Sequence, residues 1–227
     1  MPVRGGPRQL AFPLDHAESF AREDFLSGPP NAAALALIES WPDWPSRAMV
    51  LVGPEGAGKS HLAAIWAGES GARFLSGRAL SEAHLPAALA TGALVVEDLA
   101  KGAFDERALF HLINLAREEQ AFLLITAATA PAAWTVAIRD LGSRLKALPA
   151  VVLSPPDDAL LRAVLVKLFA DRQLAVDEQL LGYVAARIER SFAAARAVVA
   201  QLDREAIRRQ RPLTRALAAE IMRQGEP

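Results

Sequence analysis

A lysine and a hydroxyl follow closely spaced glycines in the run Gly53-Pro54-Glu55-Gly56-Ala57-Gly58-Lys59-Ser60. The glycines let backbone N–H groups turn inward as a nest for an anion, the lysine reaches terminal phosphates, and the serine hydroxyl can ligate Mg²⁺. This spacing is the G-x-x-x-x-G-K-[ST] phosphate loop, and its chemistry is the binding of ADP or ATP. A second pair, Glu97 and Asp98, closes the apolar run Ala93-Leu94-Val95-Val96. In phosphate-loop proteins the first acid of such a pair organises Mg²⁺ through its water shell, and the second polarises an attacking water. Glu97 stands where aspartate is usual. Its extra methylene carries the carboxylate deeper into the metal's space, so a site that binds better than it hydrolyses is expected. Thr126 ends the apolar run Leu123-Leu124-Ile125 with a hydroxyl that could sense a γ-phosphate or serve the scaffold equally well. Arg144, shortly before the last apolar run, reads in isolation as a surface ion-pair residue.

These groups need elements to hold them. Short apolar runs at 48–52, 72–75, 93–97, 121–126 and 150–153 read as strands, and helical patterns lie between them. The phosphate loop follows the first strand directly and runs into His61-Leu62-Ala63-Ala64-Ile65-Trp66-Ala67, which has helical composition. Alternation of this kind predicts βαβ units and a buried parallel sheet. Residues 32–40, bracketed by turn-rich stretches, also read as helix. After Ser154-Pro155-Pro156-Asp157-Asp158 only helical patterns follow, at 156–172, 176–188, 192–209 and 213–223. Pro156 suits a first helical turn, and the two aspartates suit its positive end. The expected fold is α/β, with a small all-α domain behind the sheet.

Bulk properties remove several function classes. The chain has 227 residues and no cysteine, which excludes disulfides, thiolate metal sites and a cysteine nucleophile. His16, His61, His84 and His111 show no metal-ligand spacing. A net charge of −1 argues against a polyanion binder. No apolar stretch approaches the about 18 residues of a membrane span, and residues 1–8 lack a signal core. A cytoplasmic protein is expected, with no membrane partner.

In this order the motifs resemble the DnaA branch of the AAA+ ATPases, and within it the Hda group of regulatory relatives. The resemblance covers nearly the whole chain and implies an AAA+ core over residues 16–154 and a helical lid over 155–227. The core would be an αβα layering of a five-stranded parallel sheet. Phe25-Leu26-Ser27-Gly28 with Asn31 is similar to the family's N-terminal box, whose turn packs against adenine. The resemblance assigns nucleotide binding to Phe25, Leu26, Asn31, residues 53–60 and His61, with Mg²⁺ at Ser60 and Glu97. Asp98 and Thr126 would be catalytic groups. Ser143-Arg144-Leu145 resembles the box that carries an arginine finger offered in trans, and Gln201-Leu202-Asp203-Arg204 resembles a late lid helix. Aligning on that helix puts Ala193 where the family places a nucleotide-sensing arginine, with Arg196 one turn further on. The lid arginines Arg196, Arg204, Arg208, Arg209, Arg211 and Arg215 alternate with Asp203, Glu205 and Glu220, the pattern of a solvated face.

Two further features favour the regulatory group. The sequence ends at Pro227, directly after the lid, so a helix-turn-helix domain and direct sequence-specific DNA binding are not expected. Gln9-Leu10-Ala11-Phe12-Pro13-Leu14, within residues 1–15, resembles the peptide that docks on the sliding clamp, the polymerase beta subunit. Gln9 would bond at a pocket rim, Leu10, Phe12 and Leu14 would anchor, and Pro13 would lower the ordering cost. The competing reading of the same run is an apolar strap folded onto the core, and a symmetric homodimer burying it is a third arrangement. The resemblance thus implies a nucleotide-bound regulator of replication initiation that docks on the clamp and stimulates ATP hydrolysis by the initiator DnaA. The alternative is a self-sufficient AAA+ ATPase acting as a helicase loader or single-stranded DNA remodeller.

Overall fold

Strands buried on both faces read as continuous apolar runs, and three segments have that character: β1 (Ala48–Val52), β3 (Ala93–Glu97) and β4 (Phe122–Ala127). β2 (Arg73–Ser76) and β5 (Ala150–Val152) are mostly exposed and form the edges. The computed structural model describes residues 20–100 and 103–224. In it the strands order as β2-β3-β4-β1-β5, with every neighbouring pair parallel. The expected five-stranded parallel sheet is therefore present, with strand limits shifted by no more than a residue or two.

Strand side chains alternate between faces, and that alternation builds two layers of core. Val50, Val52, Leu94, Val96, Leu123 and Ile125 pack beneath α3 (Leu85–Leu89), α4 (Glu106–Glu118) and α5 (Arg139–Ala147). Met49, Leu51, Ala93, Val95 and Leu124 pack beneath α1 (Ala32–Glu39) and α2 (Lys59–Ser70). Because β1 pairs Leu51 with Thr126 and β3 pairs Val96 with Ile125, the phosphate loop, Glu97 and Thr126 leave the sheet at one level.

Behind the sheet, α6 (Asp158–Asp171), α7 (Glu178–Ala185), α8 (Phe192–Arg209) and α9 (Arg215–Gln224) enclose a separate core that includes Leu165, Phe169, Val199 and Leu217. Each such side chain contributes about 1.5–3 kcal/mol on burial. The helix starts differ from the expected ones for a capping reason. Asp157 and Asp177 are N-caps, accepting from the N–H groups of Leu160 at 2.8 Å and Leu180 at 2.7 Å, so α6 begins after Pro156 and α7 two residues later than expected. Ser191 caps α8 through Ala194 N–H at 3.1 Å. Residues 9–14 and His16 lie outside the described residues. Among the described residues no helix is long and apolar enough to cross a membrane.

Candidate nucleotide site

The phosphate loop leaves β1 and returns into α2 through two left-handed glycines, Gly56 at φ 72° and Gly58 at φ 96°. A side chain at either position would be strained, and the conformation turns the loop's N–H groups toward one concavity. Lys59 opens α2. Its side chain is buried, and Nζ donates to the carbonyls of Gly53 and Pro54 at 2.8 Å each. Burial pulls the ammonium below the ordinary lysine value, while the carboxylates of Asp98 and Glu55 oppose that shift.

The loop forms one wall of a cavity of about 1160 Å³ between the sheet and the lid helices. Glu55, Gly56, Gly58, Lys59, Ser60 and His61 line it from the loop, and Phe25 and Leu26 from the N-terminal turn. Asn31 does not line it. The Asn31 side chain is buried, accepting from Gly28 N–H at 2.9 Å and donating to Leu26 O at 3.1 Å, so it shapes the turn that presents Phe25 and Leu26. His61 is held by edge contacts to Phe20 and Phe25, at 5.4 and 5.1 Å between ring centroids. Gly53, Pro54 and Ala57 support the loop without lining the cavity.

At the strand ends the two acids part company. Asp98 lines the cavity, whereas Glu97, the last residue of β3, is half-buried and does not. Asp98 adopts φ 51°, a left-handed conformation that its neighbour stabilises. Asp98 N–H donates to Thr126 Oγ1 at 2.9 Å, and Leu99 N–H donates to Thr126 O at 2.9 Å. Thr126 is fully buried, and the cavity residue contributed beyond the end of β4 is Ala128. Arg144 lies outside this lining. It sits on α5, its guanidinium carbon 5.3 Å from the centroid of the Phe110 ring, and does not line the cavity.

The lid closes the other side. Phe192 N–H donates to Gly56 O at 2.9 Å, and Phe192 stands against Gly58. Ala193 is packed so tightly that a Cβ at Gly56 would lie 3.1 Å from its own Cβ. Arg196 also lines the cavity, one turn along α8. On the side of the N-terminal turn, Lys167 of α6 pairs with Asp24 at 2.6 Å and Asp171 at 3.0 Å. These two acids hold its ammonium above the ordinary lysine value. Asp24, Lys167, Asp171, Arg172 and Phe192 escaped the sequence reading, as did Arg78 beyond β2. The i,i+4 spacing of Lys167 and Asp171 is the one sequence signal among them, and it marks a helix-face pair rather than a site.

The residues fit a bound adenine nucleotide: a glycine cradle with inward N–H groups, a buried lysine, an aromatic and aliphatic wall, and sufficient volume. They also fit Mg²⁺ of the kind that keeps most of its ligands as water and phosphate oxygen. Ser60 faces the cavity, and among the described residues no group of three or more His, Asp or Glu side chains forms a protein-only metal cage.

No protein-family model matches the sequence, and no curated protein matches it. Solved structures do. Domain III of the Thermotoga maritima replication initiation protein DnaA superposes with a TM-score of 0.70 at 16% identity, over 90% of this chain and 96% of that one. The Thermotoga maritima RuvB Holliday junction branch migration motor gives 0.72 at 15% identity, over 90% and 72%. AMPPCP-bound DnaA from Aquifex aeolicus gives 0.66 at 15% identity, over 84% and 69%. The chain thus has the AAA+ P-loop NTPase fold that these proteins share, and at such identities the likeness concerns fold alone.

Proposed function

We propose that this protein is a nucleotide-bound AAA+ regulator of the Hda kind, which docks on the sliding clamp and stimulates ATP hydrolysis by DnaA. The observation that carries this reading is the separation of Arg144 from the chain's own cavity. An arginine held on α5, outside the site formed by residues 53–60, is suited to a phosphate held by another molecule.

In this reading the loop N–H groups and Lys59 bind the phosphates of ADP or ATP, and Phe25 and Leu26 flank the base. Mg²⁺ would be held by Ser60, with the Asp98 carboxylate that faces the cavity acting through water, and would supply charge neutralisation at the phosphates. The Phe192 and Gly56 hydrogen bond ties the lid to the loop, so the geometry of the loop is transmitted to α8. Residues 9–14 bring the protein to the clamp. Arg144 donates to the oxygens of the phosphoryl group being transferred in the initiator's site. A finger of this kind is worth about 10³–10⁵ in rate.

The test is ATP hydrolysis by the initiator, measured with and without this protein and with and without DNA-loaded clamp. Stimulation that requires both is expected; no stimulation under any condition sinks the proposal. The alternative, a self-sufficient ATPase acting on single-stranded DNA, draws on Asp98 facing the same cavity as Lys59. It requires hydrolysis by the protein alone, accelerated by single-stranded DNA.

A further inference from the structure

We infer that Glu106 is a positioning residue for Arg144, acting by capping the helix that carries it. The consequence for activity rests on the proposed role of Arg144; the geometry stands without it. Helix α5 has no cap of its own, because its N-cap residue is Ile138, whose side chain offers no acceptor. Another element supplies what is missing. Glu106, the first residue of α4, accepts from Ala137 N–H at 2.9 and 3.1 Å through its two oxygens, and from Ile138 N–H at 3.0 Å. A carboxylate there satisfies two donors and faces the positive end of the α5 dipole.

Glu106 is available for this because α4 does not need it. The N-cap of α4 is Asp105, which accepts from the N–H groups of Arg107 at 2.8 Å and Ala108 at 3.1 Å. Leu109 and Leu112 are fully buried against the sheet and make α4 a fixed platform. Four residues after Glu106, on the same helix face, stands Phe110, the ring that meets the Arg144 guanidinium. One face of α4 therefore holds α5 at its start and the arginine at its tip.

Two contacts are needed for a mechanical reason. Leu141 and Leu145, spaced i,i+4, bury α5 along a single stripe. A stripe sets the depth of a helix and leaves rotation about it soft. For a guanidinium ~6 Å from the axis, a rotation of about 20° is a displacement of about 2 Å. A misplacement of ~1 Å in a catalytic group can cost about 10²-fold. The Glu106 carboxylate pins the backbone at Ala137 and Ile138 and the Phe110 ring meets the Arg144 side chain itself, so the two contacts restrain α5 where the leucine stripe does not.

The experiment compares wild type, E106A, E106Q, R144A and the E106A/R144A double variant. Two readouts are taken: clamp-dependent stimulation of initiator ATP hydrolysis, and NMR of the free protein. The expected result for E106A is a maximal stimulated rate lower by about ten- to hundredfold, with the concentration for half-maximal stimulation within about twofold of wild type. E106Q, which keeps one carbonyl acceptor, should recover part of the rate, and the double variant should be no slower than R144A alone. In the free protein, E106A should speed amide exchange at Ala137 and Ile138 and move the Arg144 side-chain signals away from their ring-current position over Phe110. Wild-type rate in E106A, or additivity with R144A, would overturn the inference. If wild type stimulates nothing, the function proposed above falls and the NMR arm decides: unchanged Arg144 signals in E106A overturn the positioning role. Should E106A fail to fold, the same two quantities are read in E106Q.

Discussion

Lys59 binds back onto its own loop, with Nζ on two carbonyls, and it is the residue whose removal should silence the cavity first. ADP at about 100 times its dissociation constant should stabilise wild type by roughly 2.7 kcal/mol, a melting shift of about 5–10 °C at this size. K59A should show little or no shift in the same thermal scan. Thr126 makes a second test at this scale. Its hydroxyl accepts from Asp98 N–H, so T126V should leave that part-buried donor without its partner and cost about 1 kcal/mol in denaturant unfolding. The position of Thr126 at a strand end was legible from the apolar run before it. Which way its oxygen points was not, because that depends on the left-handed turn at Asp98, just past the end of the neighbouring strand β3. Asn31 teaches the same lesson. Its residue type marks a turn, and only the folded chain shows that it builds the wall without being part of it.

Between elements, the decisive contact joins the phosphate loop to the start of α8. G56A puts a side chain at φ 72° and within 3.0 Å of Ser191 Cβ, so it should lose about 1–3 kcal/mol and weaken ADP binding in titration. G68A is the control, since that helical glycine has nothing within 4 Å. It should gain about 0.5–1 kcal/mol with ADP binding unchanged. The ion pair from Lys167 of α6 to Asp24 ties the N-terminal turn to the lid. The folded value of Lys167 is raised, so its stabilisation is complete below the ordinary lysine value near 10.5 and is lost as pH rises through the higher folded value. The stability difference between wild type and K167M should therefore be constant near neutrality and shrink only in strong alkali, as read by melting across pH. The four lid helices were legible to within about three residues at their ends because helical periodicity is local, while the caps at Asp157 and Asp177 set the starts of the first two. Their docking onto the loop was not, since Ala193 and Gly56 are distant in sequence and meet only through packing.

At the scale of the whole molecule, the proposed function assigns partners to two parts of the chain: the segment 9–14 and the α5 helix that carries Arg144. Each anchor of the segment is worth about 1.5–3 kcal/mol if fully buried, much of it offset by ordering and association costs. L10A/F12A should therefore lose retention on immobilised clamp while melting at the wild-type temperature. A large loss of stability instead would mark the segment as a strap packed on the core. The sequence by itself determined the phosphate loop, the parallel sheet and the helical character of the lid, because loop chemistry, strand alternation and helix capping act over a few residues. Only the tertiary structure decided that Asp98 and not Glu97 faces the cavity, and that the lid meets the loop through Phe192 and Ala193. It also decided that α4 supplies the cap α5 lacks. Those outcomes depend on which elements are brought together across the sheet, and no local spacing encodes that.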